Sequence, residues 1–62
     1  MTNTDKVLRY VQQHPGLDDD EISAATSVEP RQQVNIILRK LENGELVRRV
    51  KQPGVKIRNY PR

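Results

Sequence analysis

The sequence predicts an α+β domain in which three helices are followed by a two-stranded β-hairpin. Apolar residues recur at helical spacing before Gly44 and alternate, imperfectly, after it. Residues 30–43 combine one apolar stripe with one polar face. Pro53-Gly54 separates two short extended segments and suits the centre of a type II turn. With 62 residues, the chain is expected to form a single domain over 1–62.

The composition leaves little chemistry for catalysis or metal binding. The chain has no cysteine and one histidine, so a disulfide framework, a zinc-thiolate site and a multi-histidine metal site are excluded. His14 is the only histidine available as a general base, and no nucleophile with an orienting group can be assigned. We therefore expect no metal, no cofactor and no enzymatic activity. No apolar run approaches the length of a membrane span or a signal peptide, which predicts a cytoplasmic or nucleoid-associated protein.

Charge is distributed unevenly along the chain. Residues 1–30 carry two cations and six acids, a net charge of −4. Residues 31–62 carry nine cations and two acids, a net charge of +7, and the whole chain has +3. A positive field concentrated on one part of a small domain is typical of proteins that bind polyanions, so the distribution favours nucleic acid as the partner.

The first helix is predicted near residues 4–14, with Asn3 or Thr4 as its N-cap. Its apolar face is formed by Val7, Leu8 and Val11. The helix is expected to end at His14-Pro15-Gly16, because proline disfavours a helical conformation at the preceding residue and glycine breaks the pattern.

A second helix is predicted over residues 19–26, and it begins in a run of four acids. Asp18 and Glu21 have the spacing of a capping box, in which each side chain accepts from the backbone of the other residue. A metal site is the alternative interpretation of the acids, but consecutive helical residues radiate around the axis and do not converge on one ion. Ile22 and Ala25 are expected to face the core.

The third helix is predicted over residues 30–43, with Pro30 at its first position and Gly44 just past its end. Its core stripe lies at positions i, i+3, i+4 and i+7: Val34, Ile37, Leu38 and Leu41. The opposite face holds amides and cations, with no acid before Glu42. Such side chains form bidentate pairs with adenine and guanine edges in a major groove. The short segment between the second and third helices predicts a helix-turn-helix.

After Gly44, two segments around Pro53-Gly54 predict a β-hairpin that carries five cations. Val55 and Ile57 alternate with Lys56 and Arg58, while the segment from Leu46 to Val50 alternates less regularly. One interpretation is a basic strand pair that contacts a polyanion. The other is an edge hairpin whose Lys and Arg residues prevent aggregation.

This order of elements resembles the winged helix-turn-helix family over nearly the whole chain. The similarity is carried by residues 21–25, by residues 34–41 and by the run from Leu41 through Gly44 to Leu46-Val47-Arg48-Arg49. It implies that the third helix enters the major groove of DNA and that the hairpin, or wing, touches phosphate or the minor groove. The turn departs from the family's common form, because Thr26-Ser27 stands where a Leu-Gly pair is usual and the segment from Val28 to Val34 is one residue longer.

A narrower likeness connects the chain to winged helices that bind Z-form nucleic acid. It is carried by five residues of the third helix, which are Pro30, Val34, Asn35, Leu38 and Leu41. Arg39, however, stands where those domains carry a tyrosine, and the wing has no tryptophan.

The leading hypothesis is a small, sequence-specific protein that binds double-stranded DNA and regulates transcription, with helix 30–43 in the major groove and the basic wing 46–60 on phosphate or the minor groove. The alternative is a winged-helix module that binds another protein, for which the outward-facing Ile36 is the best support. Three short helices offer no spare apolar helix for dimerisation, and the oligomeric state stays open. The candidate contact residues are Arg31, Gln32, Asn35, Ile36, Arg39, Lys40 and Asn43 in the helix and Arg48, Arg49, Lys51, Lys56 and Arg58 in the wing.

Overall fold

The computed structural model describes residues 1–62, and it confirms the expected α+β class. Six elements follow one another along the chain. They are α1 (Asn3–Gln13), β1 (Leu17–Asp18), α2 (Asp19–Thr26), α3 (Arg31–Asn43), β2 (Val47–Val50) and β3 (Arg58–Pro61). The three helices match the predicted segments to within one residue at each end.

Side chains define where α1 and α2 begin. Thr2, rather than the expected Asn3 or Thr4, is the N-cap of α1, and its hydroxyl accepts from the backbone N–H of Asp5 at 3.1 Å. The predicted capping box of α2 is confirmed. The Asp18 carboxylate accepts from the N–H of Glu21 at 2.9 Å, and the Glu21 carboxylate accepts from the N–H of Asp18 at 3.1 Å. These bonds satisfy backbone donors that the first helical turn leaves unpaired.

The turn between α2 and α3 is stabilised by hydroxyl side chains. Ser27 adopts a left-handed conformation with φ of 59°, which glycine adopts at lower cost. The Ser23 hydroxyl donates to the carbonyl of Val28 at 2.8 Å, and the Thr26 hydroxyl donates to the carbonyl of Ile22 at 2.7 Å. These bonds hold Val28 in the core. A Thr-Ser pair can therefore form this turn without glycine.

The start of α3 differs by one residue from the prediction, whereas its end at Asn43, just before Gly44, is confirmed. Pro30 is the N-cap, with extended backbone, and Arg31 is the first helical residue. At the other end Gly44 is the C-cap with φ of −82°, and the left-handed residue is Glu45, with φ of 62°. The N–H groups of Glu45 and Leu46 donate to the carbonyls of Glu42 and Leu41, the pattern of a Schellman motif. A side chain thus occupies the position where glycine is usual.

The sheet has three strands in the order β1-β3-β2, all antiparallel, where the sequence predicted two. The additional strand, β1, places Leu17 opposite Asn59 and Asp18 opposite Arg58. The turn at Pro53-Gly54 is confirmed, since Gly54 has φ of 78° and the N–H of Val55 donates to the carbonyl of Gln52 at 3.3 Å. The predicted alternation of Val55 and Ile57 was wrong as a strand assignment, because β3 begins only at Arg58.

The core is formed by nine buried aliphatic residues from all three helices, the turn and β2. They are Val7, Val11, Ile22, Val28, Val34, Ile37, Leu38, Leu41 and Val47. All four residues of the predicted α3 stripe belong to it, which confirms that assignment. Ala25, expected in the core, is exposed. Since α3 contributes four of the nine residues, its outward face is positioned by the same packing that stabilises the domain.

We expect Leu38→Ala to be among the most destabilising single substitutions. Leu38 is fully buried in the middle of α3, so truncation removes apolar contacts and leaves a cavity that costs roughly 2–5 kcal/mol. Ile36→Ala is the matched control on the same helix, because Ile36 is 48% exposed, and its cost should be about 0.5 kcal/mol or less. Urea denaturation measures both. Equal midpoints for the two variants would contradict the core assignment.

Candidate nucleic-acid interface

The outward face of α3 is exposed and has no partners within the protein. Gln32, Ile36, Arg39, Lys40 and Asn43 are all exposed, as the sequence predicted. None of them forms a side-chain hydrogen bond or an ion pair with another residue of the chain. Their donors and acceptors are therefore free for an external ligand.

Asn35 differs from Gln32 and Asn43, the other candidate amides of α3, because its side chain already has a partner within the protein. It is half-buried, and its side-chain N–H group donates to the Asp19 carboxylate at 2.9 Å. Asn35 therefore lies at the edge of the outward face and is committed to a contact with α2.

Arg49 was expected on the exposed surface of the wing, and this was wrong. It lies on β2 on the same face as Val47, and its side chain is only 2% exposed. Its guanidinium donates to Asp19 at 2.9 Å. The alternation of the strand explains the error, because the residue two positions after a core residue points to the same face. Arg49 is a structural cation and is removed from the set of candidate DNA contacts.

The Asp19 carboxylate is the centre of a network that joins four elements. One oxygen accepts from Asn35 of α3 and Arg49 of β2, and the other accepts from Asn59 of β3, each at 2.9 Å. Asn59 is fully buried and also donates to the carbonyl of Leu17 at 3.0 Å. Two atoms beside these bonds, Arg49 Nε and Asn59 Oδ1, are buried without a partner in the chain. The network fixes the position of the wing relative to α2 and α3.

Asp20, the next residue along α2, holds two of the candidate cations at the surface. One carboxylate oxygen lies 3.2 Å from Arg31 Nε and the other lies 2.5 Å from Lys56 Nζ. The hydrogen bond from Lys56 lowers the pKa of Asp20 below its usual value of 3.8, and the same bond raises the pKa of Lys56 above its usual value of 10.5. Because all three side chains are at least 40% exposed, water screens these ion pairs.

The remaining wing cations differ in how strongly they are committed. Arg58 donates to the carbonyl of Gly16 at 2.8 Å, which ties β3 to the loop after α1. Arg48 is exposed and lies over the Tyr60 ring, with 5.9 Å between the guanidinium carbon and the ring centroid. Lys51 is exposed and forms neither an ion pair nor a side-chain hydrogen bond. Arg48 and Lys51 are therefore the wing cations most available to a ligand.

The contacts that Asp19 and Asp20 make with other elements were not predicted from the sequence. The sequence explained the acidic run by a capping box, and Asp18 and Glu21 alone form that box. Asp19 and Asp20 are not needed for the capping box, and many cations follow them in the second half of the chain. This combination was the one sequence signal for ion pairs between α2 and later elements.

The structure contains no group of three or more acidic or histidine side chains placed to hold a metal ion. No helix is both long enough and apolar enough to cross a membrane.

Comparison with known proteins gives a match to solved structures. No family model matches the sequence, and a search of curated proteins finds no match. Two crystal structures of the MarR family protein Rv2887 of Mycobacterium tuberculosis, in complex with p-aminosalicylic acid and with salicylic acid, are similar over 100% of this chain, with 32% identity in each case. The TM-scores are 0.72 and 0.69. The chain has a winged helix-turn-helix fold. It spans about half the length of these neighbours, 48% and 47%.

We expect Asp19→Ala to destabilise the protein strongly. The substitution leaves the buried guanidinium of Arg49 without its counter-ion, and breaking a buried ion pair from one side costs roughly 3–5 kcal/mol. Asp5→Ala is the matched control, because Asp5 is an exposed acid in the first turn of α1. Urea denaturation followed by circular dichroism measures both variants. If Asp19→Ala costs no more than Asp5→Ala, the network does not hold the wing.

The contribution of the Asp20–Lys56 pair to stability should depend on pH at both extremes. The lowered pKa of Asp20 adds stability above the unfolded-state value of 3.8, and this is lost as pH falls through the lower folded-state pKa. The raised pKa of Lys56 adds stability below 10.5, which is lost as pH rises through the higher folded-state pKa. Urea titrations of the parent and Asp20→Asn should thus differ by a small, constant amount between about pH 5 and pH 9 and converge in acid. A difference in unfolding free energy that persists at a pH below both the folded-state and the unfolded-state pKa of Asp20 would contradict this assignment.

Proposed function

We propose that this chain is a double-stranded DNA-binding domain of a transcription regulator, in which α3 enters the major groove and the wing lies on phosphate or in the minor groove. The observation that carries the proposal is the outward face of α3, whose exposed amides and cations have no partners in the protein. A solvated helix face normally mixes acids and bases, whereas this face has no acid before Glu42. The proposal includes no enzymatic activity.

The exposed residues of α3 suit direct contact with base edges. An amide such as Gln32 pairs bidentately with adenine, and a guanidinium such as Arg39 pairs bidentately with guanine. Ile36 lies between them on the same face and suits the methyl group of thymine. Asn35 contributes less in this proposal, because its donor is already bound to Asp19.

Phosphate contacts are assigned to cations that the protein leaves free. Three cations are exposed and form no ion pair. They are Lys40 on α3, Arg48 on β2 and Lys51 in the wing loop, the segment between β2 and β3. Contacts of this kind position a protein on the duplex and supply most of its non-specific affinity, but they do not read sequence.

The structural comparisons support the same class of function. The similar structures belong to a MarR family protein, and that family consists of winged-helix DNA-binding regulators. Similarity over the full length of this chain at 32% identity supports the proposal that the chain acts as the winged-helix part of such a regulator. Any ligand or partner subunit of the larger neighbour lies outside this proposal.

A protein-binding module is the second candidate, and exposed apolar side chains favour it. Ile36 on α3 is 48% exposed and Val55 in the wing is 57% exposed. A protein partner would bury both of these residues. Titration of the protein with DNA duplexes distinguishes the two candidates.

We expect substitutions in α3 and in the wing to affect DNA binding differently. Arg39→Ala and Gln32→Ala should each cost about 1–3 kcal/mol on a duplex selected from a random library, and little on a random duplex, because they remove base contacts. Lys51→Ala should weaken both duplexes alike and lower the slope of log K against log salt by about 0.9. Fluorescence anisotropy across a salt series measures the specificity ratio and the slope together.

Arg9→Ala is the matched control, because Arg9 is an exposed cation on α1, outside the proposed interface. Equal losses on both duplexes for the α3 variants would show that the helix contacts phosphate only. If the parent binds neither duplex at low salt, DNA binding is wrong and Ile36 becomes the first residue to test against a protein partner.

A further inference from the structure

Asp20 connects the two elements that are proposed to contact DNA. Its carboxylate pairs with Arg31, the first residue of α3, and with Lys56, in the loop that leads into β3. The bonds use separate oxygens, at 3.2 Å and 2.5 Å, so one acid holds both cations at once. The carboxylate thus lies between two cations that could both bind an external anion such as a phosphate.

The cluster lies at the surface, where a DNA phosphate can reach it. The side chains of Arg31 and Lys56 are 63% and 65% exposed, and that of Asp20 is 40% exposed. A phosphate that approaches either cation meets the negative charge of Asp20 at ion-pair distance. It therefore competes with the carboxylate for the same cations, and any contact it makes beside the carboxylate is weakened by repulsion between the two negative charges.

We propose that Asp20 is an internal competitor for DNA phosphate, which withholds Arg31 and Lys56 from the backbone and so limits the electrostatic part of DNA affinity. This inference rests on the proposed DNA-binding function and deepens it. It divides the basic surface into cations that are free to bind, such as Lys40 and Lys51, and two that bind only when Asp20 releases them.

A purely structural role does not account for the Asp20 contacts. The capping box of α2 uses Asp18 and Glu21, and the wing is anchored through the buried pair of Asp19 with Arg49. Ion pairs as exposed as those of Asp20 contribute little to stability. Asp20 instead reduces the positive charge that Arg31, at the N-terminus of α3, and Lys56, in the wing, can offer to an external anion.

The test compares the parent with Asp20→Asn, which keeps the shape of the side chain and removes its charge. Both proteins are titrated by fluorescence anisotropy against a short random-sequence duplex at about 50 to 200 mM salt. Asp20→Asn should bind roughly threefold to tenfold more tightly, the scale of one or two exposed ion pairs. The slope of log K against log salt should become steeper by about 0.9 for each additional phosphate that the released cations neutralise. Circular dichroism confirms that both proteins are folded.

Glu29→Gln is the matched control for a general change of charge. Glu29 is exposed, lies two residues before Arg31 and forms no ion pair. Its substitution also removes one negative charge near α3, but it frees no cation. A modest increase in affinity with an unchanged salt slope is expected.

A double-mutant cycle with Lys56→Ala tests the competition directly. In the parent, Lys56→Ala should leave the salt slope nearly unchanged, because Asp20 already occupies the lysine. In the Asp20→Asn background, the same substitution should reduce the slope by about 0.9 and reverse part of the increase in affinity. Additive effects on the slope would overturn the proposal.

The possible failures are distinguishable. If the parent binds the duplex and Asp20→Asn binds with the same affinity and slope, the competition is wrong while DNA binding stands. If Asp20→Asn binds more weakly than the parent, Asp20 orders the cations for DNA and the proposal is overturned. If neither protein binds the duplex at low salt, both the proposed function and this inference are wrong.

Discussion

The structure depends on one partly buried carboxylate, that of Asp19. Three elements that are far apart in sequence, α3, β2 and β3, each donate a hydrogen bond to it. A buried arginine such as Arg49 is costly to desolvate unless it is paired with good geometry, so alternative positions of the wing carry a large electrostatic penalty. The apolar core is small, and it does not extend to the wing loop. The ion pair therefore supplies an orientation of the wing that packing alone would not define.

Four consecutive acids have different functions because successive residues of a helix point in directions about 100° apart. Asp18 and Glu21 satisfy backbone donors at the start of α2. Asp19 points towards the sheet and α3, and Asp20 points towards the surface between α3 and the wing. One turn of helix thus provides the cap, the buried anchor of the wing and a screen over two exposed cations. Substituting these acids as a group would mix three effects that the individual residues keep separate.

The features that the sequence predicts correctly are those determined by residues close together in the chain. The stripe that includes Leu38 follows from helical periodicity, the capping box from a three-residue spacing, and the wing turn from Pro53-Gly54. The errors concern pairings between distant segments. The strand β1 is two residues long and exists only because β3 lies beside it, so it has no periodicity of its own. The burial of Arg49 depends on Asp19, thirty residues earlier, and a lysine- and arginine-rich strand does not reveal which cation turns inward.

The same limitation applies to net charge as a predictor of binding. The second half of the chain has a large positive excess, but its cations are not equivalent once the partners are known. Arg49 is neutralised in the interior, Arg31 and Lys56 share one acid at the surface, and Arg58 is bound to a backbone carbonyl. Counter-ion release from DNA depends on cations that can reach phosphate, since charge already paired within the protein displaces no counter-ion until that pair is broken. The electrostatic footprint of the domain is therefore smaller than its composition suggests. If the proposed function holds, base contacts from α3 must supply a correspondingly larger share of specific binding.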